Sequence, residues 1–230
     1  MLYTGKTVRD NIRNREGKRV FYLKAGDTLT SEARDFLNGE RIEILPADQA
    51  RKEEQALLTG GFVREKPEHM THLNGDVLVH KSHRRIRFRG AIDSLEAEIL
   101  LCQQHFPELE ASLQEILTLA RMVIRCDVLE TPLVKTQLCG LDEQQLRRQS
   151  HFPQEYFGIP HFMPESGDTP KILRLNRLRC MARNTELLGV DAFCDRDGNP
   201  TRTDILQALN RMSSMLYILM LREKAQLRKE

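Results

Sequence analysis

Two stretches of this chain carry residues able to act together on an anionic substrate. The first is THLNGDVLVHKSHRRIRFRGAIDSLEAE, residues 71–98. Thr71 and Lys81 can donate hydrogen bonds to phosphate oxygens, and Gly75, beside Asn74 and Asp76, lets a backbone turn approach a ligand closely. Lys81, Arg85 and their basic neighbours precede a helix expected to begin near Gly90. Positive charge and a helix N-terminus both favour an anion there. Asp93 then falls in the first turn, where dipole stabilisation alone would account for it, and the arginines could be a solvated face. The second stretch is RLRCMARNTE, residues 177–186. Arg179, Arg183 and Glu186 stand four and three residues apart, so they share one helix face, beside the apolar face of Leu175, Leu178 and Ala182. A surface ion-pair network has the same spacing. Asn210 and Arg211 interrupt the mostly apolar LQALNRMSSMLY, and a polar group on a buried helix needs a structural or a ligand partner.

Standard catalytic templates mostly fail in this chain. It has no GxxxxGK[ST] loop, GxGxxG, HExxH or GxSxG, and no Glu-x-x-His pair of the di-iron bundle type. His69, His72, His80 and His83 cluster within fifteen residues and leave a metal site open beside the reading as loop histidines of mixed role, although no acid or thiolate accompanies them at a familiar spacing. The five cysteines (Cys102, Cys126, Cys139, Cys180 and Cys194) are scattered, which reads as reduced thiols in a cytoplasmic protein. A net charge of +2 and the absence of Trp give no footing for nucleic acid. The apolar run Met215 to Leu221 is too short to span a membrane, and the N-terminus lacks a signal-peptide core.

The elements that must hold these residues fall into three regions. Residues 1–46 read as a small β-α-β region: a strand at Val20–Leu23, a turn at Ala25-Gly26-Asp27, a helix SEARDFLN capped by Thr30 or Ser31 and ended by Gly39, and a strand over 41–45 stopped by Pro46. Residues 47–85 are polar and weakly periodic, a linker passing into a functional loop. Residues 86–230 are helical. Ile92, Leu95, Ile99, Cys102 and Phe106 recur at helix spacing, as do Leu113, Ile116, Ala120 and Val123, then Leu175, Leu178, Ala182 and Leu188. A last helix starts near Thr203-Asp204 and runs past Leu221; MLYILML is apolar all round, which makes it the central helix of a bundle. The fold class is therefore mainly α, a helical bundle with a small N-terminal α/β region.

In combination these segments resemble the ATP:corrinoid adenosyltransferases of the five-helix-bundle type. That family has a TGD loop, then Lys and Arg, then a Y-G-T-V-D-E-L helix start. THLNGD, Lys81, Arg85, Gly90 and Asp93 follow the same order, with the same twelve-residue step from Lys81 to Asp93. Its R-x-x-x-R-x-x-E helix is similar to Arg179, Arg183 and Glu186, and its L-N-R-L-S helix to LNRMS with Asn210. The ethanolamine-utilization branch is closer still: LTSEARDFL, the THL segment, Ser150-His151-Phe152-Pro153 with Tyr156, and DILQALNR all have counterparts.

The resemblance implies that cobalt(I) attacks C5′ of ATP and expels triphosphate. ATP, with Mg2+ on its phosphates, would be held by Thr71, Asn74, Gly75, Asp76, Lys81, Arg85, Arg179, Arg183 and Asn210. Asp93, Arg179, Arg183 and Glu186 would be the catalytic group, with Asp93 paired to Arg179. His161, Phe162 and Asp93 would meet the corrinoid, Phe162 as the bulky side chain that displaces the lower axial ligand. Some members of the branch carry a metal motif, His-x11-Cys-Cys-x2-Cys, ahead of the THL segment. No cysteine precedes Cys102 here, so no Zn or Fe site is expected. The resemblance further implies a homo-oligomer, trimer or dimer, with ATP at a subunit boundary. It also implies a reductase and an adenosylcobalamin-dependent ammonia-lyase as partners, and a cytoplasmic location or association with a bacterial microcompartment. Two other readings stay open on the residues: a corrinoid or ATP carrier or sensor that has lost turnover, and a purely structural bundle.

Overall fold

A computed structural model of the chain describes residues 2–9, 11–15, 18–47, 55–60, 62–63, 65–75, 77–134 and 137–228. The chain divides into two units, Met1–Pro67 and Glu68–Glu230. In the first, β1 (Leu2–Tyr3) and α1 (Gly5–Arg9) lead into β2 (Arg13–Arg15), β3 (Lys18–Leu23), β4 (Thr28–Leu29), α2 (Ser31–Gly39) and β5 (Glu43–Pro46). β3 lies antiparallel to β2 and parallel to β5, with α2 in the crossover, so the expected β-α-β pattern is present. Thr30 caps α2: its hydroxyl accepts the Ala33 N–H at 3.2 Å. The fully buried Val8, Phe21, Ala33 and Leu37, with Ile42, form a core of their own, and Tyr3 meets Phe21 edge to face at 5.2 Å. β6 (Gln55–Leu57) and β7 (Phe62–Val63) pair antiparallel, where the polar composition suggested only a linker.

The second unit opens with a hairpin of β8 (Met70–Asn74) and β9 (Val77–His80). Gly75 takes φ +46° at its turn, a conformation that costs a glycine little. Next come α3 (Arg84–His105), a 3₁₀ turn at Pro107–Leu109, and α4 (Glu110–Val128). A two-residue ladder, β10 (Gln137–Leu138) with β11 (Leu141–Asp142), leads into α5 (Glu143–His151) and the short α6 (Pro153–Phe157). Two long helices follow, α7 (Pro170–Phe193) and α8 (Thr203–Leu227). With α5 as a shorter fifth member, α3, α4, α7 and α8 make a helical bundle.

α8 is its centre. Met212, Met215, Leu216, Ile218, Leu219, Met220 and Leu221 are all buried, each burial contributing about 1.5–3 kcal/mol. The periodic residues of the other helices meet it, Ile92, Leu95 and Ile99 from α3, Ile116 and Ala120 from α4, and Leu175, Leu178 and Ala182 from α7. Gly189 lets α8 approach α7 closely, since a Cβ there would stand 3.0 Å from Leu209 Cδ1. No described helix is long and apolar enough to cross a membrane.

One element begins earlier than its sequence suggests. α3 starts at Arg84, so Gly90 and Asp93 lie inside the helix and Asp93 is no first-turn dipole cap. The reason is local. His83 stands at the N-cap and its Nδ1 accepts the Arg85 N–H at 3.3 Å. Burial first, then the charges of Arg85, Arg84 and Arg89, lower the His83 pKa, which favours the neutral ring whose Nδ1 can accept that bond.

Candidate functional site

The arginine face of α7 is where the predicted residues converge. Thr169 caps this helix, its hydroxyl accepting the Ile172 N–H at 3.3 Å, and Pro170 fits the first turn. Leu175, Leu178, Ala182 and Thr185 turn inward, which rotates Arg179, Arg183 and Glu186 to the side where α8 runs antiparallel. Glu186 accepts a 2.8 Å hydrogen bond from Asn210 Nδ2 on α8, joining two of the predicted residues directly. Arg179 donates through Nε and Nη2 to Asn176 Oδ1 at 3.1 and 2.9 Å, and its guanidinium lies over the Tyr217 ring at 6.0 Å. Arg183 is exposed, and its side chain makes no hydrogen bond or ion pair with another described residue. A guanidinium with all five donors open beside one held in place is suited to a polyanion.

Arg179 borders a cleft of about 390 Å3 whose other walls are His161, Phe162, Met163, Pro164, Tyr217 and Met220. The structure thus brings His161 and Phe162 next to Arg179. Phe162 is half-buried and stacked on Tyr217 at 6.2 Å, with the Lys224 ammonium 5.5 Å from its ring centre. Met163, the following residue, is 87% exposed. Sequence reasoning missed both Tyr217 and Met163: one was read as packing on an apolar helix, the other as an unremarked neighbour of Phe162.

The THL segment occupies another part of the unit. Thr71 and Asn74 are half-buried on β8, Gly75 is at the exposed hairpin turn, and Asp76 lies outside the described residues. Lys81 is exposed, its backbone N–H held by His69 O at 2.9 Å. Arg85 is committed elsewhere. Its Nε donates to Asp127 Oδ1 at 2.8 Å, its Nη2 to the Asp127 carbonyl at 2.7 Å and its Nη1 to Glu130 at 3.1 Å. Arg89 takes the other oxygen of the fully buried Asp127 at 2.6 Å and also donates to Leu73 O at 2.8 Å. This network fastens the start of α3 to the end of α4.

Asp93 is not brought to Arg179 within the chain. It is exposed on the α4 side of α3, in a groove with Glu96, Arg121 and Arg125, whereas Arg179 faces α8. The α7 side of α3 is taken by Glu98, which receives Arg174 at 2.9 Å and Arg177 at 3.2 Å. Arg211 also points away from the arginine face. It lines a cavity of about 120 Å3 with Glu143 and Asp204, and its Nε makes no hydrogen bond among the described residues, Glu143 being 3.7 Å off. In the same cavity Asp204 is held to a pKa of about 2, chiefly by Arg202 and also by the Leu133 N–H. Among the described residues no group of three or more His, Cys, Asp or Glu side chains is placed to hold a metal.

The fold and this face define a helical-bundle protein that presents paired arginines, a carboxylate and an amide beside an aromatic-walled cleft. Comparison with known proteins agrees with that class. The chain belongs to the cobalamin adenosyltransferase family, whose model matches residues 62–223. It is similar to the corrinoid adenosyltransferase EutT of Salmonella typhimurium (strain LT2), 32% identical over 238 residues that cover 93% of this chain and 89% of that one. The corrinoid adenosyltransferase EutT of Escherichia coli (strain K12) is 31% identical with the same coverage. No solved structure matches.

Proposed function

We propose that this chain transfers the 5′-deoxyadenosyl group of ATP to the cobalt(I) of a corrinoid. The cobalt electron pair forms the bond to C5′, the C5′–O bond breaks, and its electron pair leaves with triphosphate. The observation that carries the reading is the joined face of Arg179, Arg183 and Glu186 with Asn210, in a chain of this family. No general base is required. The protein's work is to align the reactants and to stabilise charge that grows on the leaving group. Arg183, with open donors, meets the phosphates; Arg179, oriented by Asn176 and Tyr217, sits between them and the cleft. The Asn210–Glu186 pair aims a polar edge at the nucleotide.

Thr71, Asn74, Gly75, Asp76 and Lys81 form the other half of the ATP site. Asp93 lies in the α3–α4 groove and Arg179 against α8 within one chain, which supports a site completed between copies in a homo-oligomer, trimer or dimer. Asp93 of one copy then anchors Arg179 of the next. The corrinoid enters the cleft, its lower face toward Met163 and Phe162. Mg2+ accompanies the phosphates as their counter-ion, and zinc or iron takes no part, consistent with the lack of any cysteine before Cys102. A reductase delivers the electron that makes cobalt(I), and an adenosylcobalamin-dependent ammonia-lyase receives the product, in the cytoplasm or a microcompartment.

The test is Arg183→Ala. Removing one preorganised donor from a developing oxyanion costs about 10²–10³-fold in rate, and an exposed side chain without internal partners leaves the thermal midpoint unchanged. A near-wild-type rate with ATP and reduced cobalamin would refute its role.

A further inference from the structure

We propose that Tyr217 is a positioning residue for the corrinoid: its hydroxyl and ring fix the His161–Phe162–Met163 turn at the cleft beside Arg179. The inference rests on the adenosyltransferase reading and adds a residue to it. Tyr217 projects from the buried helix α8, yet its oxygen lies 3.1 Å from His161 Nδ1 and 3.3 Å from the Phe162 N–H. The other ring nitrogen, His161 Nε2, is 3.0 Å from the His151 carbonyl at the end of α5. These partners set the direction of every proton. A carbonyl only accepts, so neutral His161 carries its proton on Nε2 and donates it to His151. Nδ1 is then an acceptor and takes the Tyr217 O–H. The lone pairs left on the Tyr217 oxygen accept the Phe162 N–H. One hydroxyl therefore satisfies two groups of the turn and ties α8 through the turn to the α5 terminus.

The ring adds a second set of contacts. His161 stacks on it with planes 8° apart and centroids 5.9 Å apart, Phe162 lies at 6.2 Å, and the Arg179 guanidinium lies over it at 6.0 Å. Farther along the turn Lys224 forms an ion pair with Asp168, whose other oxygen accepts the Glu165 N–H at 2.8 Å. The segment from His161 to Asp168 is thus fastened to α8 at both ends, and the large apolar side chain it leaves exposed is Met163, at 87%. A turn held this firmly presents an apolar group at a fixed distance from Arg179, as steric exclusion of an axial ligand requires. Phe162, clamped between Tyr217 and Lys224, is the anchor of that turn.

Tyr217→Phe keeps the ring and removes the hydroxyl, so it separates positioning from packing. The experiment measures KM for cobalamin and for ATP, and the absorbance and electron paramagnetic resonance signature of four-coordinate cob(II)alamin bound with ATP. Loss of the bridge is expected to raise KM for cobalamin about tenfold, the equivalent of about 1.4 kcal/mol, and to weaken the four-coordinate signature, with KM for ATP unchanged. His161→Ala is expected to act alike, and the double variant to be no worse than either single one. Unchanged cobalamin KM and signature in Tyr217→Phe would overturn the proposal, as would equal losses for both substrates or additive losses in the double variant. Failure of the wild-type protein to form adenosylcobalamin would instead overturn the underlying function.

Discussion

Replacing Asp127 by Asn separates a structural role for the basic helix start from a role in binding ATP. The Asp127 carboxylate is fully buried and holds Arg85 Nε at 2.8 Å and Arg89 Nε at 2.6 Å on its two oxygens. Both guanidiniums are largely covered, at 17% and 14% exposure. Removing one partner of a buried ion pair costs roughly 3–5 kcal/mol, mostly because the remaining charge is left uncompensated. Here two charges lose one carboxylate, but Arg85 keeps the Asp127 carbonyl and Glu130, Arg89 keeps Leu73 O, and Asn can still accept one bond. The lower end, about 3 kcal/mol, is the expected loss. With a urea slope of roughly 2 kcal/mol/M for a domain of this size, the midpoint of the helical unit falls by about 1.5 M. Urea titration followed by far-ultraviolet circular dichroism measures this. A shift below about 0.3 M, together with a raised KM for ATP, would refute the reasoning and free Arg85 for the nucleotide.

Two further changes probe the bundle. Asp204→Asn removes a carboxylate held near pKa 2 against the ordinary 3.8, worth about 2 kcal/mol where the group is ionised in both states. Because the folded pKa is depressed, that stability is fully present above pH 3.8 and disappears as pH falls toward 2. Wild type and variant should therefore differ in thermal midpoint at pH 6 and converge near pH 2; a constant difference across that range would contradict the assignment. Gly189→Val forces a branched side chain against Leu209 and Leu206, whose atoms stand 3.0 and 3.3 Å from the Cβ position. The expected loss is about 1–3 kcal/mol, read as a lower thermal midpoint, and an unchanged midpoint would mean that α7 and α8 repack freely.

The parts of the molecule legible in the sequence are those governed by near-neighbour spacing. The buried stripe of α3, the apolar-all-round centre of α8 and the cap of α2, read as Thr30 or Ser31 and found at Thr30, each follow from residues within one or two turns. So does the shared face of Arg179, Arg183 and Glu186. What escaped depends on long-range partners. Arg85 carries the same charge whether it faces ATP or Asp127, 42 residues away in sequence, and only the fold shows the buried carboxylate. The start of α3 depended on a histidine acting as cap, a role its type seldom signals. Tyr217 sits in MLYILML, where nothing local marks one side chain as the hub of a turn 55 residues upstream. The β8–β9 hairpin was hidden because four short-strand residues, VLVH, leave little room for a periodic signal.

The measurement closest to the central claim is direct turnover under anaerobic conditions. ATP with Mg2+ and chemically reduced cob(I)alamin are mixed with the protein, adenosylcobalamin is followed by absorbance, and triphosphate is assayed in the same sample. The account predicts that adenosylcobalamin and triphosphate appear together in equal amounts. Binding of ATP and corrinoid with no adenosylcobalamin, or release of orthophosphate in place of triphosphate, would contradict it.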